Sequence, residues 1–428
     1  MKMSQCIKTE PFDLMQYFYG TVHDPLIHCY IKFAGHLDEQ MLVKAVTLSL
    51  EAIPVIRCCF DSSSRRPRWQ ERSFSGEDIV SVIRMESDDA EQDLRLLTST
   101  IDIAHEPQLR IFLIKRRQTD AICAIINHMV CDGAGFKEYL YLLGSIYTGL
   151  ERGHAMPDIR YYTRSAGQIF KGFGLTGKMG ILFSKSDLSA QKQKQAEIHF
   201  DGDEGNPFII TRSIAQEDLG LLKGFCREHD VTVNDVFLTA YVRFLNRKTG
   251  IERIIVPCPV DLRKYLTDSH KHGICNLTSN YICDTSIQED EMFSDTLYEV
   301  SRQMKRQKES DGCLKPIMML LFAFAVIPFG ILHRSFSKIF KIPVTSYTNL
   351  GVVDKARLGF GDIGIKEVFL TGAIKHTPYF QIALSTYNNV CTISCNLFGT
   401  PRDQMLIGSF LDEIIEEVIT AVKKPIAL

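Results

Sequence analysis

The sequence has no surplus of charge of either sign: 49 Lys and Arg stand against 51 Asp and Glu, a formal net charge of -2. Phosphate backbones are met by a basic excess, so nucleic acid is not expected as a partner. None of the 13 cysteines is spaced C-x-x-C, and their number is odd. Pairs such as Cys58-Cys59 and Cys258/Cys275 lack zinc spacing, and several cysteines lie in apolar runs such as Ile254 to Val260. Free buried thiols in a reducing compartment are the expectation, with neither a disulfide framework nor a metal site. No apolar h-region lies between Met1 and Pro11, and the apolar run Ile317 to Leu332 falls short of the roughly 20 residues of a membrane span. A cytoplasmic protein without membrane contact is therefore expected, as a monomer.

Catalytic signatures are missing as well. There is no H-E-x-x-H and no G-x-S-x-G, so metalloprotease and α/β-hydrolase chemistry have no support. Two G-x-G-x-x-G matches, at Gly172/Gly174/Gly177 and Gly359/Gly361/Gly364, lack the strand before and helix after that a dinucleotide site needs. No bound cofactor is expected. Gly172 to Lys178 imitates a P-loop, but Met179 stands where a hydroxyl must reach magnesium.

What is present is a chain of 428 residues, long enough for two domains, in which strands and helices interleave. His28 to Phe33 reads as a strand, and Asp38 caps a helix that Pro54 stops. Arg110 to Lys115 and Ala121 to Ile126 are strands flanking a charged turn. A helix follows from about Gly135 to Tyr147. From Arg164 to Pro207 the pattern weakens into what reads as an exposed connection. That places an N-terminal subdomain at 1–165, a linker at 166–206 and a C-terminal subdomain at 207–428. In the second half, Phe208 to Ile214 reads as a strand, and Thr232 with Asp235 caps a helix. Arg253 to Val260, Gln381 to Thr386 and Val390 to Asn396 read as strands, and Thr400-Pro401 opens the last helix. Ile317 to Leu332 is sixteen residues without a charge, broken by Pro328 and Gly330. It reads as a buried helix; a wall for an acyl chain and a membrane-surface element are the alternatives.

One motif carries chemistry. An apolar strand delivers His128 to its end in the segment Asn127-His128-Met129-Val130-Cys131-Asp132-Gly133, and Gly133 and Gly135 turn the chain into a helix. Imidazole at such a place can take a proton from a hydroxyl, amine or thiol at neutral pH, because its unperturbed pKa is about 6.5. The opposing reading is a core histidine bonded to backbone.

Five ordered segments resemble the chloramphenicol acetyltransferase-like superfamily, which includes condensation domains, alcohol acyltransferases and polyketide-associated acyltransferases. H-H-x-x-x-D-G matches Asn127 to Gly133, with Asn127 in place of the first histidine. Thr232-Val233-Asn234-Asp235-Val236 resembles a helix opening common in the family. Val256 to Arg263 is similar to its strand ending in D-L-R. Asn276 to Asn280 and Thr348-Asn349-Leu350-Gly351 resemble its N-x-x-x-N and S-N-L-G elements. The D-F-G-W-G element of the plant branch is absent.

The resemblance implies an α/β fold of two chloramphenicol acetyltransferase-like sandwich subdomains with an active-site tunnel between them. It implies direct acyl transfer from a thioester, acyl-CoA or carrier-bound phosphopantetheine, to a hydroxyl or amine. His128 would be the general base and the Thr348 hydroxyl, or a nearby amide, the oxyanion donor. Asp132 would pair with Arg263 and, with Gly133, Asn127 and Asn349, shape the site. Donor and acceptor are small molecules, with an acyl or peptidyl carrier protein as a further expected partner. Amide condensation between carrier-bound substrates is the alternative chemistry, and the absence of adenylation or carrier segments favours a free-standing role. An inactive docking relative is the third reading, opposed by the retention of His128, Asp132, Gly133 and Arg263.

Overall fold

The computed structural model describes residues 6–63, 66–153, 163–184, 195–266, 272–339 and 342–423. Within them the apolar patterning resolves into two main sheets. The first has the strand order Ile365–Thr371, Leu26–Phe33, Asp120–Asn127, Leu109–Lys115, Val80–Arg84. Its neighbours run antiparallel except the last pair, which is parallel. Asp120–Asn127 lies in the middle and is buried at every position, which is why it reads as a continuous apolar run. Alternate residues feed two cores. Ile122, Ala124 and Ile126 face the helices Glu39–Ala52 and Gly133–Glu151, while Ala121, Cys123 and Ile125 face Leu97, Ile209 and Phe369. Asp38 caps the first of those helices through Met41 N, 2.7 Å away.

The second sheet runs Thr345–Val353, Phe380–Tyr387, Val390–Phe398, Pro207–Ile214, the first pair parallel and the others antiparallel. The helices Val233–Thr249 and Pro401–Lys423 share its core. Thr232 and Asp235 close a reciprocal capping box at the first of these, as their spacing predicts. A two-stranded antiparallel ribbon, Arg253–Asp261 with Thr278–Ser286, packs beside Thr345–Val353.

Three findings revise the sequence reading. Ile365–Thr371 comes from the second half yet completes the first sheet by pairing with Leu26–Phe33. The connection at 166–206 is not simply exposed: Ala166, Ile169, Phe170, Ile181, Ile198 and Phe200 enter the second core. Its residues 185–194 lie outside the described residues. These apolar positions are scattered among glycines, so they carry no helical or strand period to read. Finally, Ile317 to Leu332 spans two helices, Leu314–Val326 and Phe329–Ile339, broken near Pro328. Leu314, Ile317 and Leu320 are buried, but Met319, Phe322, Val326 and Ile331 are exposed, so the expected buried helix is buried on one side only. A uniformly apolar run has no polar stripe to mark its outer face.

All 13 cysteines are free and, apart from Cys6, buried. No group of three or more His, Cys, Asp or Glu among the described residues is placed to hold a metal. No described helix is long and apolar enough to cross a membrane.

Candidate active site

The turn after Asp120–Asn127 is fixed from several sides. Asn127 is fully buried; its Oδ1 accepts from Met129 N at 2.8 Å, and its Nδ2 donates to Gln108 Oε1 at 2.6 Å. The short amide thus closes an Asx turn where the family pattern has a histidine. His128 N donates to Pro25 O at 2.7 Å, and Asn276 Nδ2 donates to His128 O at 2.7 Å. Arg164 Nη2 donates to Met129 O at 2.9 Å and pairs with the buried Asp13 at 2.8 Å. Asp13 in turn accepts from the indole of Trp69, the only tryptophan in the sequence. With its backbone held this way, the His128 side chain is half-buried, and its Nδ1 has no partner on another residue. Burial lowers the imidazole pKa and the charge of Lys375 lowers it further, while the histidine's own carbonyl, the Asp132 charge and the Asn276 side-chain amide oppose the shift.

Asp132 points away from the ring. It is the N-cap of Gly133–Glu151, with Oδ1 accepting from Gly135 N at 2.8 Å. Its Oδ2 accepts from Leu277 N at 2.7 Å, Thr278 Oγ1 at 3.0 Å and Arg263 Nη1 at 3.0 Å. Arg263 also donates to Asp261 at 3.0 Å and to the carbonyls of Gly273 and Cys275 at 3.0 and 2.8 Å. Burial alone would raise the Asp132 carboxyl, but the Arg263 charge and the hydrogen bonds hold it below the usual range. This knot joins the start of the motif helix to the Arg253–Asp261 and Thr278–Ser286 ribbon, across the two halves of the chain. Gly135 lies against it: a Cβ there would come within 2.8 Å of Cys131 Cβ and 3.0 Å of Cys275 O. At Gly133 a Cβ would lie 2.4 Å from Leu350 Cδ2.

That contact brings in the Thr348 segment. Thr348 lies in the strand Thr345–Val353, opposite Ala383, and not in a turn. It is half-buried. The strand bulges between Asn349 and Val352, with Gly351 at φ 77°, and Lys137 of the motif helix donates to Leu350 O at 2.7 Å. Asn349 is exposed; its Oδ1 accepts from Gly351 N at 2.8 Å and its Nδ2 donates to Asn234 Oδ1 at 3.0 Å. It ties the bulge to the helix that Thr232 opens.

Beside the histidine lies a polar cluster that the motif does not announce. His23 bridges Lys375 through the backbone, Asp24 N donates to Ile374 O at 3.1 Å, and Ile374 N donates back to Asp24 Oδ1 at 2.8 Å. Burial pushes the Lys375 ammonium down to about 8 and the Asp24 carboxyl up to about 7. Only a lone lysine in the apolar run before His376 hinted at it. Arg164 and Asp13 gave no signal, lying far apart in sequence and outside any motif.

No family model matches the chain. Over 287 residues, 63% of its length, it is 23% identical to surfactin synthase subunit 1 of Bacillus subtilis, and it spans only 8% of that protein. The first condensation domain of the calcium-dependent antibiotic synthetase, solved with a substrate analogue, superposes with a TM-score of 0.73 at 13% identity, covering 99% of this chain and 98% of that one. The trichothecene 15-O-acetyltransferase of Fusarium sporotrichioides superposes with a TM-score of 0.72 at 10% identity, covering 97% and 95%. The chain therefore has the chloramphenicol acetyltransferase-like fold that condensation domains and acyltransferases share.

Proposed function

We propose that this chain transfers an acyl group from a thioester, acyl-CoA or carrier-bound phosphopantetheine, to a hydroxyl or amine, with His128 as general base. The observation that carries the reading is the division of labour in the motif. The side chains of Asn127, Arg164 and Asn276 hold the backbone of the turn, while the half-buried imidazole leaves its Nδ1 without a hydrogen-bond partner. A lowered pKa keeps that imidazole neutral, hence basic, at pH 7.

In this reading His128 takes the proton of the acceptor O–H or N–H as the acceptor attacks the thioester carbonyl. The tetrahedral intermediate collapses by breaking the C–S bond, and the imidazolium returns the proton to the departing thiolate. No acyl-enzyme forms. Thr348, on the strand against Gly133, is the proposed donor to the oxyanion. Lys375 adds a positive charge near the ring that disfavours imidazolium before substrate binds. Asp132, Gly133, Arg263, Asn127 and Asn349 position and do not react.

Amide condensation between carrier-bound substrates is the second reading, favoured by the sequence similarity to surfactin synthase subunit 1. Incubation with labelled acyl-CoAs and, separately, with acyl-loaded carrier proteins tests both. Acyl transfer from CoA to a small acceptor supports the first reading. Turnover only from carriers supports the second. No transfer from either donor would leave a docking relative.

A further inference from the structure

The helices Leu175–Phe183 and Leu314–Val326 pack against each other, and Lys315 Nζ donates to Ser184 O at the end of the first. Both turn apolar side chains outward. On the first, Leu175 is 80% and Phe183 75% exposed, with Met179 and Leu182 beside them at positions one and two turns on. On the second, Met319, Phe322 and Val326 follow an i, i+3, i+7 stripe, and Phe322 is 68% exposed. Isolated surface leucines need no explanation, but seven large apolar side chains on two adjoining helices mark a contact surface.

The charges around it select the partner. From Ile159 to Ser186 and from Gly312 to Val353 the sequence contains no Asp or Glu. Lys171, Lys178 and Arg334 are exposed within these two segments. An apolar face whose own two segments carry cations and no carboxylate has the composition of an element lying in a lipid headgroup layer. We propose that these two helices form a docking surface for an anionic bilayer, with the exposed apolar side chains among the acyl chains and Lys171, Lys178 and Arg334 at the lipid phosphates. Adsorption there places the active site near the membrane. Arg164, which holds the turn beside His128, leads through Ala166–Phe170 straight into Leu175–Phe183.

The test is sedimentation of the full chain with vesicles of phosphatidylcholine alone or mixed equally with phosphatidylglycerol, at low and high salt. The parent is expected to pellet with the anionic vesicles and to be released by salt. The triple variant L175S/F183S/F322S should stay in the supernatant while melting like the parent, since all three side chains are exposed. K171Q/K178Q/R334Q should weaken partitioning about fivefold per cation, roughly a hundredfold together. H128A should bind vesicles as the parent does, so that failure of the catalytic reading leaves this result untouched. Absence of pelleting with anionic vesicles at low salt overturns the proposal. So does equal binding to neutral vesicles, or a parent dimer that L175S/F183S/F322S converts to monomer, which would give the face to a second copy.

Discussion

Replacing Arg263 by Met strands the Asp132 carboxylate in a site where both side chains are only 6% exposed. Breaking a buried ion pair from one side costs about 3–5 kcal/mol. The lower end applies here, because Asp132 keeps Gly135 N, Leu277 N and Thr278 Oγ1 as donors. The reverse change, Asp132→Asn, keeps an oxygen to cap Gly133–Glu151 and leaves Arg263 its bond to Asp261. Its expected cost is about 1.5–3 kcal/mol, that of a hydrogen bond to a charged group. Asp132→Ala loses the cap too and should cost about 1 kcal/mol more. The double variant Arg263→Met/Asp132→Asn should recover about 2 kcal/mol relative to the sum, a coupling within the range for residues in direct contact. Urea unfolding followed by Trp69 fluorescence suits the measurement, since the indole is bonded to Asp13 and through Arg164 to the motif turn. The sign with pH is fixed: the Asp132 carboxyl sits lower in the folded than in the unfolded chain. Its stabilisation is thus present above the unfolded carboxylate pKa of about 3.9 and is lost as pH falls through the folded value. Coupling should be the same at pH 7 and pH 5. A coupling below about 0.5 kcal/mol would refute the idea that this pair locks the two halves together.

Four further outcomes are expected. His128→Ala should lose about 10²- to 10⁴-fold in turnover with parental melting, and near-parental turnover would remove His128 from the mechanism. The acid limb of kcat/KM should lie below pH 6.5, because a lowered imidazole pKa keeps the base neutral further into acid; Lys375→Met, by removing a repelling charge, should move that limb upward, and an unmoved limb would sever Lys375 from His128. Thr348→Val should cost about 10²- to 10³-fold in kcat at unchanged stability if its hydroxyl meets the oxyanion, and parental kcat would pass that role to a backbone amide. Gly135→Ala should lower the melting temperature, because its Cβ meets Cys131 and the Cys275 carbonyl; an unchanged melt would show that the turn can yield.

Local chemistry was readable in the sequence wherever a short-range rule decides the outcome. Asp38, the Thr232/Asp235 box and the apolar run before His128 each act within one turn or one strand, so residue type and spacing were sufficient. The motif from Asn127 to Gly133 was legible for the same reason. Only the tertiary structure decided what lies across from it. Arg164 and Asp13, Lys375 and Asp24, and the pairing of Ile365–Thr371 with Leu26–Phe33 are long-range meetings that no local period encodes. The same holds for Ile317 to Leu332, where hydrophobicity alone suggested a core helix. An apolar side chain is driven from water only if a neighbour is there to cover it, and whether Phe322 has such a neighbour depends on elements brought together by the fold.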